Sequence, residues 1–338
     1  MDSPLLILQD HPAKSCEDSC KAAPRTLASE FKLKISTFPR EKGWDRVNNL
    51  YHYQGFWYYE HFLAGIMSAQ EHFRPQPTDI FLTSCPKAGT TWLKALTFAI
   101  VTRARFDDST SPLLKKLPHD CIPFIELDLS ENSNNRDMEM PLVATHMPYT
   151  SLPTSVTNSG CKIVYICRDP RDAFVSYWFF KAKQLSPKNA EPLPLEEAFE
   201  MYCKGIINYG PCWDHVLGYW RASLEFPERI LILKFEELKK DTTFYVKKLA
   251  EFIGYPFTKE ETGVVQKIID LCDFENLSNL EVNKNGEHRS GSGVNIKNNA
   301  FFRNGKVGDW ENYLTAEMAA RLNQIMEEKL KGSGFFTG

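Results

Sequence analysis

The sequence predicts an α/β protein with a central parallel sheet, helices on both faces, and a P-loop-like strand–loop–helix shaped to bind phosphate. Three observations predict it. Short, strongly apolar runs occur at 79–83, 162–167 and 229–234, as expected for strands buried on both faces. Each is followed by a stretch of helical character: residues 90–103, a helix opened by Asp169-Pro170, and residues 243–252, and this alternation implies a parallel sheet covered on both sides. Between the first strand and its helix stands Thr83-Ser84-Cys85-Pro86-Lys87-Ala88-Gly89-Thr90-Thr91-Trp92-Leu93. It lies at the carboxyl edge of the sheet, where such folds bind ligands.

The elements follow in order. Residues 1–30 are polar and aperiodic and read as a mobile N-terminal arm, leaving 31–338 as one domain. Apolar residues recur at helical spacing over 60–73. The strand 79–83, the turn and the helix 90–103 come next. Val143-Ala144-Thr145-His146-Met147-Pro148 is a short apolar segment able to end a strand at the ligand edge. The strand 162–167 leads to Arg168 and a helix with proline at its first position. The C-terminal helix, 317–331, has Met318, Leu322, Ile325 and Leu330 on one face and reads as core packing. Three polar connections, 106–140, 184–194 and 276–299, have the length of lids or binding segments. The last holds Gly286, Gly291 and Gly293 and is expected to move.

Composition narrows the function. A chain of 338 residues with 43% hydrophobic and 25% charged content is that of an ordinary globular protein. A net charge of −3 gives no general attraction to nucleic acid or to an anionic membrane. No apolar run spans a bilayer and the N-terminus lacks a basic start, so the expected location is the cytosol. The nine cysteines are scattered without a C-x-x-C pair, which disfavours disulfide and zinc frameworks. Cys16 and Cys20 are expected to be free thiols, and Cys85, Cys161 and Cys167 to be core.

A helix start offers free N–H groups and the positive end of the macrodipole. Pro86 and Gly89 let the chain turn around an anion, Lys87 adds a charge, and Thr90 and Thr91 add hydroxyls. Lys87 precedes the glycine, so this is not the nucleoside-triphosphatase loop, and no metal is demanded. The Trp92 indole is suited to stacking on adenine. Taken alone, the stretch is equally compatible with a threonine-capped helix and a core tryptophan.

Pro86-Lys87-Ala88-Gly89-Thr90-Thr91-Trp92 resembles the 5′-phosphosulfate loop of the cytosolic sulfotransferases, which use 3′-phosphoadenylyl sulfate as sulfonyl donor. Three further segments match in the family's order, and Glu41-Lys42-Gly43-Trp44 and Tyr53-Gln54-Gly55-Phe56-Trp57 are similar to plant members. The resemblance implies that Lys87 assists departure of the nucleotide and that His146 is the general base for an acceptor hydroxyl. Ala144 stands where many animal members have a lysine, so that residue's role does not carry over. Arg168 and Ser176 match ligands of the 3′-phosphate. In Phe302-Arg303-Asn304-Gly305-Lys306-Val307-Gly308-Asp309-Trp310, Arg303 and the backbone of Gly305 are expected to close over that phosphate. Asn304 replaces a lysine, which implies somewhat weaker donor binding. Tyr209 matches an adenine contact, although Tyr before Gly-Pro is also a packing corner. Phe56, Trp57, Phe180 and Tyr149 are the candidates for the acceptor pocket.

By the resemblance, the co-substrate is 3′-phosphoadenylyl sulfate with no metal, and the acceptor is a small hydroxylated molecule of flavonol, steroid, hydroxyjasmonate or desulfoglucosinolate type. A kinase needs a triphosphate loop and Mg²⁺ ligands that are not recognisable; a non-catalytic nucleotide binder would need no base. Many animal members dimerise through a segment whose positions here hold Glu311, Thr315, Ala316 and Ala320, which points to a monomer.

Overall fold

The computed structural model describes residues 27–130, 132–133, 136–137, 139–185, 191–289 and 295–335. Residues 1–26 of the expected arm, with Cys16 and Cys20, and Gly291 and Gly293 of the 276–299 connection lie outside the described residues. Helix α1 (Leu27–Ile35) begins within the segment expected to be an arm. An antiparallel sheet follows, β1 (Arg40–Lys42), β2 (Asn49–Tyr53) and β3 (Phe56–Tyr59), which runs into α2 (Glu60–His72). Then come β4 (Ile80–Ser84), α3 (Thr90–Thr102), the short α4 (Pro118–Cys121), a π-helical turn at Ile125–Leu129, β5 (Leu142–Thr145) and α5 (Thr154–Thr157). β6 (Lys162–Cys167), α6 (Pro170–Leu185), α7 (Leu195–Cys203), α8 (Cys212–Glu225), β7 (Ile230–Lys234) and α9 (Phe235–Lys240) continue the alternation. α10 (Thr242–Ile253), α11 (Val264–Leu271), α12 (Phe274–Asn279), α13 (Glu281–Asn285), the two-residue strands β8 (Glu287–His288) and β9 (Ile296–Lys297), and α14 (Ala316–Leu330) complete the chain.

The main sheet is parallel, ordered β5-β4-β6-β7. Alternation of side chains along each strand gives it two dry faces. Phe81, Val143, Ile163 and Tyr165 enter a core shared with α2 and α8. Leu82, Leu142, Ala144, Val164, Ile166 and Leu233 enter another shared with α3, α10 and α11. From β4 the chain goes to β5 on one side and later returns to β6 on the other, which makes the carboxyl end of β4 a topological switch point. The register pairs Thr83 with both Thr145 and Tyr165, and Ser84 with Ile166. Three chain segments thus leave the sheet at one level: the turn after Ser84, His146 after Thr145, and Arg168 after Cys167.

Two departures from the sequence reading bear on the site. The small sheet β1–β3 was not anticipated, because its strands carry Tyr, His, Asn and Trp in place of an apolar run. Its last strand exchanges backbone hydrogen bonds with the segment before α8: Trp57 N–H donates to Gly210 O at 2.9 Å and Tyr209 N–H to Trp57 O at 2.7 Å. The described part of the 276–299 connection is largely structured, since α12, α13 and the β8–β9 ladder occupy it. Short helices rich in Asn and Glu lack the periodicity that marks longer ones. Among the described residues no helix is long and apolar enough to cross a membrane.

Helix α2 approaches the π-helical turn so closely that a Cβ on Gly65 would lie 1.8 Å from the Glu126 carbonyl oxygen. Gly65→Ala is expected to push the two apart and cost about 2 kcal/mol of stability, measured by urea unfolding. Unchanged stability would mean that this contact does not hold the turn.

Candidate active site

The turn after β4 is built from unusual backbone. Lys87 has φ 68° and Gly89 φ 113°. At Gly89 any side chain would also meet Phe235, whose Cδ2 lies 2.9 Å from the position of a Cβ. A left-handed lysine is costly and such outliers concentrate at functional sites. Ser84 Oγ lies 2.6 Å from Thr90 Oγ1 and ties the end of β4 to the start of α3, whose first-turn N–H groups have no preceding carbonyls to bond.

One cavity gathers Lys87, Gly89, Thr90, Thr91 and Trp92 of this turn with His146, Arg168, Ser176 and Phe180, and with Arg303, Asn304 and Gly305 of the last motif. Ala88 is buried beneath the turn. The Lys87 ammonium lies over the Phe180 ring at 4.3 Å and over Phe301 at 5.6 Å. It makes no ion pair with a carboxylate among the described residues. Burial foremost, and then repulsion from Arg168, Arg303 and Lys183, push its pKa down to about 7. A depressed lysine among cations needs an anion to restore its charge.

Arg168 is held from three sides: its Nη2 donates to Lys306 O at 2.7 Å and lies 3.4 Å from Asp172 Oδ2, while its guanidinium stacks on Phe235 at 4.6 Å. Its Nε is buried without a hydrogen-bond partner, as is that of Arg303. Arg303 pairs with Asp309 and lies over Phe179 at 5.0 Å. The Asn304 amide donates to Asp309 Oδ1 at 2.6 Å, so this side chain braces the motif. Asp172, not singled out from the sequence, joins the two cationic segments. Fully buried on α6, it accepts the N–H groups of Gly308 at 2.8 Å and Trp310 at 3.0 Å while facing Arg168. Its position four residues after Arg168, one helical turn on, was the available signal.

His146 follows β5, and its Nδ1 lies 2.8 Å from the Ser84 carbonyl oxygen. A carbonyl only accepts, so Nδ1 carries the proton and Nε2 keeps a free lone pair. Burial, reinforced by Lys94, His215 and Lys87 against the opposing Ser84 hydrogen bond, lowers the imidazole pKa to about 3 and keeps it neutral. The backbone of His146 is fixed at both ends: its N–H donates to Glu126 Oε1 at 2.9 Å, and its carbonyl lies 2.9 Å from His215 Nε2. Glu126 also accepts from Thr145 Oγ1 at 2.8 Å and from the Tyr209 hydroxyl at 3.0 Å, and its burial raises its pKa. Neither Glu126 nor His215 was anticipated, since each stands in an apolar stretch like an ordinary core polar residue.

Tyr209 is not brought to the cavity edge. It is buried, bound to Glu126 and 5.4 Å from the His146 ring, and is not among the residues that line the cavity. Its place is governed by the β3 pairing. Phe56 packs edge-on to His215, Trp57 lies against His52, and Tyr149 against Tyr219. Of the four acceptor candidates, only Phe180 lines the cavity. The sequence reading missed Cys272, Phe274 and Leu277, which also line the cavity, and Phe301, which faces Phe180 at 5.4 Å. Rings run in succession from Phe62 through Tyr209, His146, Phe124, His119 and Phe301 to Phe180.

Two predictions follow from the cations. Free Lys87 is largely neutral at pH 8, and a bound anion stabilises its ammonium, so nucleotide binding at pH 8 should take up about one proton. Calorimetry in buffers of different ionisation enthalpy reads this, and the uptake should vanish in Lys87→Arg. Asp172→Ala breaks a buried pair and is expected to cost about 3 kcal/mol of stability, measured by urea unfolding. It should also weaken adenosine 3′,5′-bisphosphate more than AMP; equal weakening would detach Asp172 from the arginine cluster.

A sulfotransferase domain model matches residues 77–334. The flavonol 3-sulfotransferase of Flaveria bidentis is 52% identical over 321 residues, covering 94% of this chain and 98% of that protein. Cytosolic sulfotransferase 17 of Arabidopsis thaliana is 50% identical over 308 residues, covering 90% of this chain and 89% of that protein. A mouse sulfotransferase crystallised with PAP is similar in structure, with TM-score 0.63 and 26% identity over 84% of this chain and 95% of that one. With this turn, this histidine and two arginine segments around one cavity, the chain belongs to the sulfotransferase domain family and is a sulfotransferase.

Proposed function

We propose that the chain, acting as one domain from residue 31 onward, transfers the sulfonyl group of 3′-phosphoadenylyl sulfate to a hydroxyl of a small organic acceptor. The convergence of Lys87, His146, Arg168 and Arg303 on one cavity carries this reading. The first-turn N–H groups of α3, with Thr90, Thr91 and Lys87, would hold the phosphosulfate end. Arg168, Ser176, Arg303 and the Gly305 backbone would hold the 3′-phosphate, and the buried unpartnered Nε atoms of both arginines suit a ligand oxygen. Adenine would lie between Trp92 and Phe274. The mouse relative's complex with PAP, adenosine 3′,5′-bisphosphate, supports a nucleotide of this kind.

The chemistry asks for alignment and for charge where charge develops. His146 Nε2 takes the acceptor proton as the acceptor oxygen bonds to sulfur. The bond from sulfur to the phosphate oxygen breaks, and Lys87 neutralises the departing oxygen. The run of rings between the base and Lys87 favours a planar hydroxylated acceptor, in keeping with the flavonol 3-sulfotransferase relative. The relative named a cytosolic sulfotransferase supports a cytosolic location. A monomer is the expected state, because Glu311, Thr315, Ala316 and Ala320 stand where many animal members have their dimerisation segment.

His146→Ala is expected to abolish transfer from labelled donor while bisphosphate affinity stays within about threefold; an active variant would reassign the base. The bisphosphate should raise the melting temperature more than AMP at equal concentration, and equal shifts would remove the second phosphate site.

A further inference from the structure

A second histidine lines the same cavity without a role in the reading above. His119 sits on α4, buried, with its ring 4.4 Å from Phe301, 5.9 Å from Phe124 and 5.8 Å from His288. Its Nε2 lies 2.9 Å from Thr91 Oγ1 in the donor turn. Burial, with Lys94, His288, His146 and Lys87 adding repulsion, holds its pKa well below that of a free imidazole. The ring is therefore neutral, with one nitrogen donating and one accepting.

Which nitrogen holds the hydrogen decides what Thr91 offers to an anion. If Nε2 accepted, the Thr91 hydroxyl proton would be spent on His119 and only oxygen lone pairs would face the cavity. If Nε2–H donates, Thr91 Oγ1 accepts it and its own hydrogen is free to turn toward a negative oxygen. The cavity is lined by Lys87, Arg168 and Arg303 and suits an anion, and an anion favours the second arrangement.

We propose that His119 is a positioning residue for donor binding: its Nε2–H engages Thr91 Oγ1 and commits the Thr91 hydroxyl as a hydrogen-bond donor to the phosphosulfate. The proposal rests on the donor reading of the turn. It also accounts for a polar side chain among Phe124, Phe301 and His288, where an apolar one would pack as well.

A double-mutant cycle in the full-length protein tests it, with bisphosphate affinity by calorimetry and KM for donor and acceptor by labelled transfer. Thr91→Val and His119→Phe, which keeps an aromatic ring but no N–H, should each weaken bisphosphate binding and raise donor KM by about tenfold. Acceptor KM should stay unchanged, and the double variant should lose no more than either single one. His119→Gln, which offers an N–H at a similar reach, should restore binding to within about twofold. Losses that multiply in the double variant, or a glutamine variant as weak as the phenylalanine one, would overturn the assignment. Nitrogen-15 NMR of histidine-labelled wild-type protein needs no variant to fold: it should find His119 protonated at Nε2, and protonation at Nδ1 would overturn it. If wild-type protein neither binds the bisphosphate nor transfers sulfonyl, the donor reading falls and takes this proposal with it; wild-type activity with an additive cycle removes His119 alone.

Discussion

The register of β4 against β5 and β6 is the constraint on which the site depends. With Thr83 opposite both Thr145 and Tyr165, the turn, His146 and Arg168 emerge side by side. A slip of one residue would turn every side chain of a strand to the opposite face. Phe81, Val143 and Tyr165 would then meet α3 and α10 in place of α2 and α8. Because both faces are packed against helices, such a slip is resisted along the whole strand, and the catalytic geometry inherits the rigidity of the core. The bond from His146 Nδ1 to the Ser84 carbonyl is the direct expression of this register, joining the residue after β5 to the last residue of β4.

Around that frame the charges are unequally matched. Carboxylates are abundant nearby, yet each is engaged in holding the structure together. Asp172 binds backbone N–H groups, Asp309 binds Arg303 and Asn304, and Glu126 binds the His146 backbone. Lys87 has no carboxylate partner among the described residues to offset its burial and the neighbouring cations, and these lower its affinity for a proton. The imidazole is neutral for the same reason, burial among cations. One buried environment therefore leaves both a lysine without a carboxylate partner among the described residues and an uncharged imidazole, and a bound polyanion would offset the repulsion among the cations.

Much of this was legible in the sequence, and unevenly so. The three long apolar strands, the turn and the helix starting at Pro170 are local patterns, and the structure places them within a residue or two of expectation. Thr91, Arg168, Ser176 and Arg303, singled out by their motifs, line one cavity. What could not be read depends on partners distant in the chain. Tyr209 looked like a nucleotide contact, but its position is set by backbone pairing with Trp57, more than a hundred residues earlier. Phe56, Trp57 and Tyr149 offered aromatic density without a direction. Glu126 acts through a backbone group of another segment, a kind of contact that leaves no spacing signature, and the four-residue spacing of Asp172 from Arg168 shows nothing of its grip on Gly308 and Trp310.

The clamp at Asp172 has an evolutionary side. It grips the closing segment through main-chain N–H groups of Gly308 and Trp310, while Lys306 and Val307 face solvent and Lys306 contributes only its carbonyl to Arg168. Main-chain grips are indifferent to side-chain identity. Positions 306 and 307 are thus free to drift, or to be recruited to new surface roles, without loosening the hold of Asp172 on the segment. Inheritance of the lock is separated from inheritance of the letters written on it.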